Sequence, residues 1–175
     1  MGNCLFPRLI RGFDDLPGAV RAAHGTGSET HLVGRCDVER GTGLLARVFA
    51  AAASLPRAGR DMAMHVRIRR EDGREEWTRD FAGRAMRSTL RANGELLEES
   101  LGVVRFQFTL RARDGAIDWR VVGVRALGVP LPASWFSQVV ARESAVDARY
   151  RFDVRAAMPL VGLLVHYHGA LDVED

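Results

Sequence analysis

Near the end of the chain two histidines flank a tyrosine in "LVHYHGAL" (164–171), and an arginine lies between two aromatics in "EEWTRDF" (75–81). On an extended strand side chains alternate, so His166 and His168 project to one face with Leu164, and Val165 and Tyr167 to the other. Two imidazoles on one face can ligate zinc or non-haem iron once a third ligand, preferably a carboxylate, joins them. Cys36, Asp37 and Glu39 can fill that role only if their strand pairs with the last one. Without a metal, His166 suits proton transfer or the orientation of a polar ligand group, since imidazole titrates near neutral pH. Arg79 shares a strand face with Trp77 and Phe81. If that face is internal, the guanidinium needs a carboxylate such as Glu98 or Glu99, or an anionic ligand, because an unpaired internal charge is very costly. If the face is external, Arg79 is solvated.

Other reactive residues lack the context that chemistry requires. Ser134 and Ser137 have no Gly-x-Ser-x-Gly frame for a hydrolase nucleophile. Asp14 and Asp15 suit a helix start better than a catalytic carboxylate pair. Cys4 and Cys36 form no C-x-x-C pair and are too few for a disulfide scaffold, which favours a reducing, cytoplasmic setting. The start "MGNCLF" superficially matches a lipidation signal, but Phe6 stands where myristoylation wants Ser or Thr, and no apolar leader precedes Cys4. No secretory signal or membrane-spanning apolar run is visible, because His166 interrupts the apolar stretch that begins at Ala156.

The elements that must position these residues follow from periodicity. Residues 5–24 read as a broken helical lead-in with Pro7 and Pro17 in first-turn positions and Gly25 as a stop. A strand over 30–40 follows. An amphipathic helix over 42–56 then carries a stripe of Leu44, Leu45, Val48, Phe49 and Leu55, expected to pack on a sheet or else to close a cavity as a lid. From residue 61 the pattern is almost all period two, with hairpin signals at "EDGR", "NG" and "RDGA". "LGVPLPASWF" (127–136) interrupts it with two prolines and reads as a corner or loop. "MPLVGLLVHYHGAL" (158–171) reads as one last strand, buried on both faces.

Nine or ten antiparallel strands exceed what an open twisted sheet accommodates without curling. The expectation is therefore a single domain over 1–175, mainly antiparallel β, with one curved meander sheet forming a calycin-like barrel or half-barrel. A helix-grip fold is the alternative, although that fold normally ends in a long helix. The hydrophobic share of 47% is enough for a substantial core. All 25 basic residues are arginine, the formal charge is only +3, and the arginines alternate with acids. With few aromatics available for stacking, that distribution argues against nucleic-acid binding.

The stretches "LFPRLI", "VERGTGLLARVFAAAASLP", "EEWTRDF", "VGVRALGVPLPASW" and "RYRFDVRAAMPLVGLLVHYHGAL" resemble the bacterial family known as domain of unknown function 4166, over residues 5–171. Members are often fused behind a module resembling saccharopine dehydrogenase. The resemblance therefore implies an accessory or substrate-handling role near redox chemistry and an oxidoreductase partner. It carries no assigned catalytic residues. The chain has no G-x-G-x-x-G opening a helix, so it holds no nucleotide-binding module of its own.

Together these readings point to a binding module for a small apolar or amphipathic molecule or lipid, without cofactor or metal. Trp77, Arg79, Phe81, Phe106, Trp119 and His166 are the expected ligand-binding residues; Phe108, Tyr150 and Phe152 are further cavity or core aromatics. An isomerase- or cyclase-like enzyme with His166 as acid or base is one alternative. A domain docking on an oxidoreductase through Trp135 and Phe136 is the other.

Overall fold

The computed structural model describes residues 4–25 and 27–174, so the "MGN" start that bears on lipidation lies outside the described residues. The lead-in forms two short helices, α1 (Leu5–Leu9) and α2 (Gly18–Ala23), separated by a single 3-10 turn. After β1 (Glu29–Arg40) comes α3 (Leu44–Ala52), and the remainder is almost entirely strand. The meander continues through β2 (Gly59–Glu71), β3 (Arg74–Phe81), β4 (Arg84–Asn93), β5 (Leu96–Leu101) and β6 (Val104–Arg113). It ends with β7 (Ala116–Ala126), β8 (Val129–Leu131), β9 (Val140–Val146), β10 (Arg149–Met158) and β11 (Gly162–Glu174). No described helix is long and apolar enough to cross a membrane.

Ten of these strands close into a barrel. β6 continues into β7, β7 pairs with β9 over Ile117–Arg120, and β1 meets β11 from His31↔Glu174 to Arg40↔Val165. Closure removes the sheet's free edges and excludes the half-barrel and helix-grip alternatives. The short β8 extends along β7 beyond the reach of β9, at Val124–Ala126, and there Pro130 sits where a strand can dispense with an amide donor.

Each mouth has its own cover. Phe6 and His24 from the lead-in enter one end and stack at 3.6 Å between ring centroids, beside Trp77 and Trp119. At the other end α3 crosses the mouth, and Ala53 and Leu55 just after it face the interior.

Two expectations need correction here. The segment 158–171 is not one strand: β10 runs to Met158, the chain turns at Pro159–Val161, and β11 starts at Gly162 with His166 and His168 only half-buried on its outer side. More consequentially, α3 sits the other way round. Its small residues Ala46 and Ala50 are buried, whereas Leu44, Leu45, Val48 and Phe49 face solvent. Close approach to the barrel rim decides this: a Cβ on Gly41 would lie 1.7 Å from the Leu163 carbonyl, and one on Gly102 would lie 2.6 Å from that of Ala52. Only alanines fit in so narrow a gap.

The closing seam is equally tight. A Cβ on Gly34 of β1 would stand 2.2 Å from the Ala170 carbonyl of β11, and one on Gly169 would stand 2.3 Å from that of Arg35. Gly34→Ala is therefore expected to destabilise by about 1–3 kcal/mol, lowering the melting temperature by several degrees. Gly43→Ala, with open space around the new methyl, should stay within about 0.5 kcal/mol of the parent. Thermal melts of the two variants followed by circular dichroism check this.

Candidate functional site: an aromatic-lined barrel interior

The interior holds a cavity of about 120 Å³. Its walls are largely apolar and aromatic, with Trp77, Phe106, Phe108, Trp119, Tyr150 and Phe152 among the lining residues. Four of the residues singled out from the sequence, Trp77, Arg79, Phe106 and Trp119, come together here.

Strand alternation also turns several charged groups inward. Arg79 is buried; its Nη1 donates to Ser88 Oγ at 2.8 Å, and its Nη2 to Glu99 Oε1 at 3.3 Å. The guanidinium carbon lies 4.6 Å from the centroid of the Trp77 ring, a cation–π geometry. Of the two expected partners it is thus Glu99 that compensates Arg79, while Glu98 turns outward to Arg91 and Arg105. On the opposite wall Glu143 Oε2 lies 2.6 Å from Nε2 of the fully buried His24 and also hydrogen-bonds Tyr150. Nearer the plugged end, Glu75 accepts the Trp77 indole N–H at 2.8 Å and lies 3.5 Å from Arg70.

These groups set one another's protonation. Burial works against the charge on Arg79, but Glu99, aided by Tyr167, Tyr150 and Glu143, outweighs it and holds the guanidinium above its ordinary pKa. Burial is also the main force on both phenols. Tyr167 is pushed up to about 12 despite the opposing field of Arg79. Tyr150 rises well above its usual value because the charge and hydrogen bond of Glu143 add to burial. Both tyrosines are therefore neutral at physiological pH. Cys36, buried on the inner side of β1, has its thiol raised to about 11 chiefly by burial, which leaves it unreactive.

Inside the barrel, then, Arg79 is matched by Glu99, and the carboxylate of Glu143 is hydrogen-bonded by His24 and Tyr150. A further anion would enter against two carboxylates. Among the residues that line the cavity one donor is left over, the buried indole N–H of Trp119; His24 Nδ1, Arg70 Nε and Glu75 Oε1 also lack a hydrogen-bond partner among the described residues but lie outside the lining. The lining thus suits an uncharged apolar molecule that carries one hydrogen-bond acceptor.

His166 does not belong to this site. On β11 it is Tyr167 that faces inward, and His166 lies on the outer surface with Nε2 3.0 Å from Asp153. Closure does set Glu39 opposite His166 and Asp37 opposite His168, but Cys36 points to the other face. No group of three metal-ligating side chains forms among the described residues. Phe81 is buried inside the barrel, edge-on to Tyr167 at 5.6 Å and behind the lining. Phe136 folds onto the core against Phe106 instead of forming an outer contact surface, while Trp135 beside it remains half-exposed. Sequence reasoning missed Glu143, His24 and Tyr167. The last carried a signal, since it shares its strand face with Val165 and Leu171.

Fold and site define a closed antiparallel β-barrel with a buried aromatic-lined cavity and an internal ion pair. The chain belongs to the family described as domain of unknown function DUF4166, whose model matches residues 16–171. No curated protein matches it by sequence.

Two outcomes follow from the interior charges. Glu99→Ala strands a buried guanidinium and is expected to cost about 3–5 kcal/mol, whereas the double change Arg79→Met with Glu99→Leu should recover most of that loss in urea unfolding. The phenols act in alkali. Their folded pKa values lie above the unfolded value near 10, so their contribution is complete below pH ~10 and disappears as pH rises toward 12. For Tyr167 the shift corresponds to roughly 2–3 kcal/mol. Urea midpoints measured across that window should fall for the parent and fall less for Tyr167→Phe.

Proposed function

We propose that this barrel is a binding module for a small apolar or amphipathic molecule seated in the central cavity. The observation that carries the reading is the pairing of an aromatic-lined void with one unsatisfied donor, the Trp119 N–H, beside an internally compensated Arg79–Glu99 pair. Native interiors rarely combine a void with an orphaned polar group unless something occupies it. Size bounds the occupant: an apolar cavity of about 150 Å³ takes benzene, so this one suits a ring or a short branched chain. A longer molecule would extend past Phe136 toward Ala53 and Leu55 at the α3 mouth. The oxidoreductase partnership implied by the family resemblance would make this domain a ligand holder beside redox chemistry, in a cytoplasmic setting where Cys4 and Cys36 stay reduced.

A second reading rests on the chain Tyr150–Glu143–His24, in which a phenol and an imidazole meet one carboxylate at the cavity wall. Such a relay could move a proton in an isomerisation or cyclisation of the same ligand. Glu143 and Tyr150 take the place that the sequence gave to His166.

Filling the void tests the binding reading. Ala141 lines the cavity from β9, and Ala141→Phe is expected to abolish binding of small apolar probes, read as the change in Trp77 and Trp119 fluorescence, while leaving the circular dichroism spectrum intact. Mass spectrometry of the denatured parent, purified from its native host, should find a stoichiometric neutral molecule that the filled variant lacks. Equal probe binding by parent and Ala141→Phe would overturn the assignment. Conversion of the released molecule by the parent but not by Glu143→Gln would favour the enzyme.

A further inference from the structure

The two ends of the barrel differ in a way that its folding does not require. At the end plugged by the lead-in, three hairpins place an aspartate at a positive-φ turn position, Asp72 (φ 47°), Asp114 (φ 50°) and Asp147 (φ 52°), the last followed by Ala148 (φ 61°). At the α3 end Asp61 (φ 49°) has the same backbone but lies within β2 and not in a hairpin turn. Aspartate, asparagine and glycine are the residues that tolerate this backbone. At the α3 end the equivalent positions are Ala82 (φ 50°), Leu127 (φ 51°) and Leu160 (φ 66°). Leu127 is 79% exposed and Leu160 completely so. These leucines bear the strain of a left-handed backbone and bury nothing in return, so packing within the fold gives no reason for an apolar side chain at either position.

The same end carries the outward stripe of α3, with Leu44, Leu45, Val48 and Phe49 facing solvent. Val103 on the β5–β6 turn, Val129 and the half-exposed Trp135 complete a ring around the covered mouth. Among the described residues every exposed large apolar side chain lies at this end except Val122 and Val146. Exposed arginines surround the ring: Arg47, Arg57, Arg60, Arg84, Arg125 and Arg155, none of them in an ion pair among the described residues. Of the acids nearby, Asp61 pairs with Arg35, which leaves Asp37, Asp80 and Glu39 against the six arginines, so the end remains net positive.

We infer that the α3 end docks on an anionic lipid surface, with the leucine turns and α3 entering the interface and the arginines meeting the headgroups. The apolar groups stand on separate turns and one helix. The open strand edge here is the three-residue β8, interrupted by Pro130, and the groove beside α3 is rimmed by Arg40, Arg57 and Arg84, a short edge and a cationic groove that suit an anionic surface better than an apolar protein segment. A bilayer requires only depth and charge of the right sign, and both are present. The docking surface stands without the ligand reading above. If both hold, the cavity opens toward the membrane and draws its apolar ligand from there.

Flotation with vesicles of phosphatidylcholine alone, or mixed with phosphatidylglycerol, tests the inference on the full chain. The parent should float with the anionic vesicles and detach as salt is raised. Leu45→Glu with Val48→Glu, on a face already exposed, should melt like the parent and lose at least about tenfold in vesicle affinity. Val146→Glu, at the opposite end, should bind as the parent does. Absence of binding to anionic vesicles would overturn the proposal, as would equal binding by the α3 variant. Self-association of the parent that the α3 change abolishes, without vesicle binding, would assign the surface to a second copy instead. A parent that floats but releases no bound molecule on denaturation would fail the cavity reading alone, and a parent that releases one but does not float would fail docking alone.

Discussion

Everything in this barrel depends on the pairing of β1 with β11. That seam turns a meander with two free edges into a closed wall, and closure gives the sheet an inside. The seam imposes its own chemistry, because the backbones approach so closely at Gly34 and Gly169 that no side chain is accommodated. Once the wall is closed, strand alternation fixes which residues meet water and which meet one another. Glu75, Arg79, Glu99 and Glu143 are placed inside by parity alone, and the interior must then neutralise them.

That neutralisation is nearly complete. Each internal charge has an opposite or hydrogen-bonding neighbour, and the phenols remain protonated because burial opposes tyrosinate more strongly than Arg79 favours it. The result is an interior that is polar in composition but close to neutral in field. Such an interior opposes a further anion more firmly than it opposes an uncharged molecule. A buried ion pair adds little net stability relative to apolar residues of similar volume, so the Arg79–Glu99 pair is better understood as fixing the shape and field of the cavity than as holding the barrel together.

Much of the architecture was legible in the sequence because period-two alternation and Asp-Gly turns report local geometry directly. The Arg79 environment was legible too, down to the choice between Glu98 and Glu99, since a buried cation demands a nearby carboxylate. Adjacent glutamates on one strand face opposite ways, however, and only closure says which faces in. His166 was misplaced because its chemistry was attractive; the apolar parity of Val165, Tyr167 and Leu171 already put it outside. Glu143 was illegible, as "ARESA" reads like any solvated strand, and its partner His24 lies 119 residues away. The orientation of α3 failed for another reason. A hydrophobic stripe predicts burial only when the gap behind it admits large side chains, and here backbone contact at Gly41 and Gly102 admits only alanine.

The same seam governs how the molecule comes to exist. β1 must wait for β11, its partner from the far end of the chain, and the lead-in must wait for β9 before His24 finds Glu143. Contacts of such sequence separation place this fold among slow-folding topologies, since the chain must close its longest loops before it gains their reward. Until then β1 and the growing end of the meander present unpaired edges, the feature that recruits other chains. The strand that completes the interior is thus also the one whose late arrival sets the window for aggregation during synthesis.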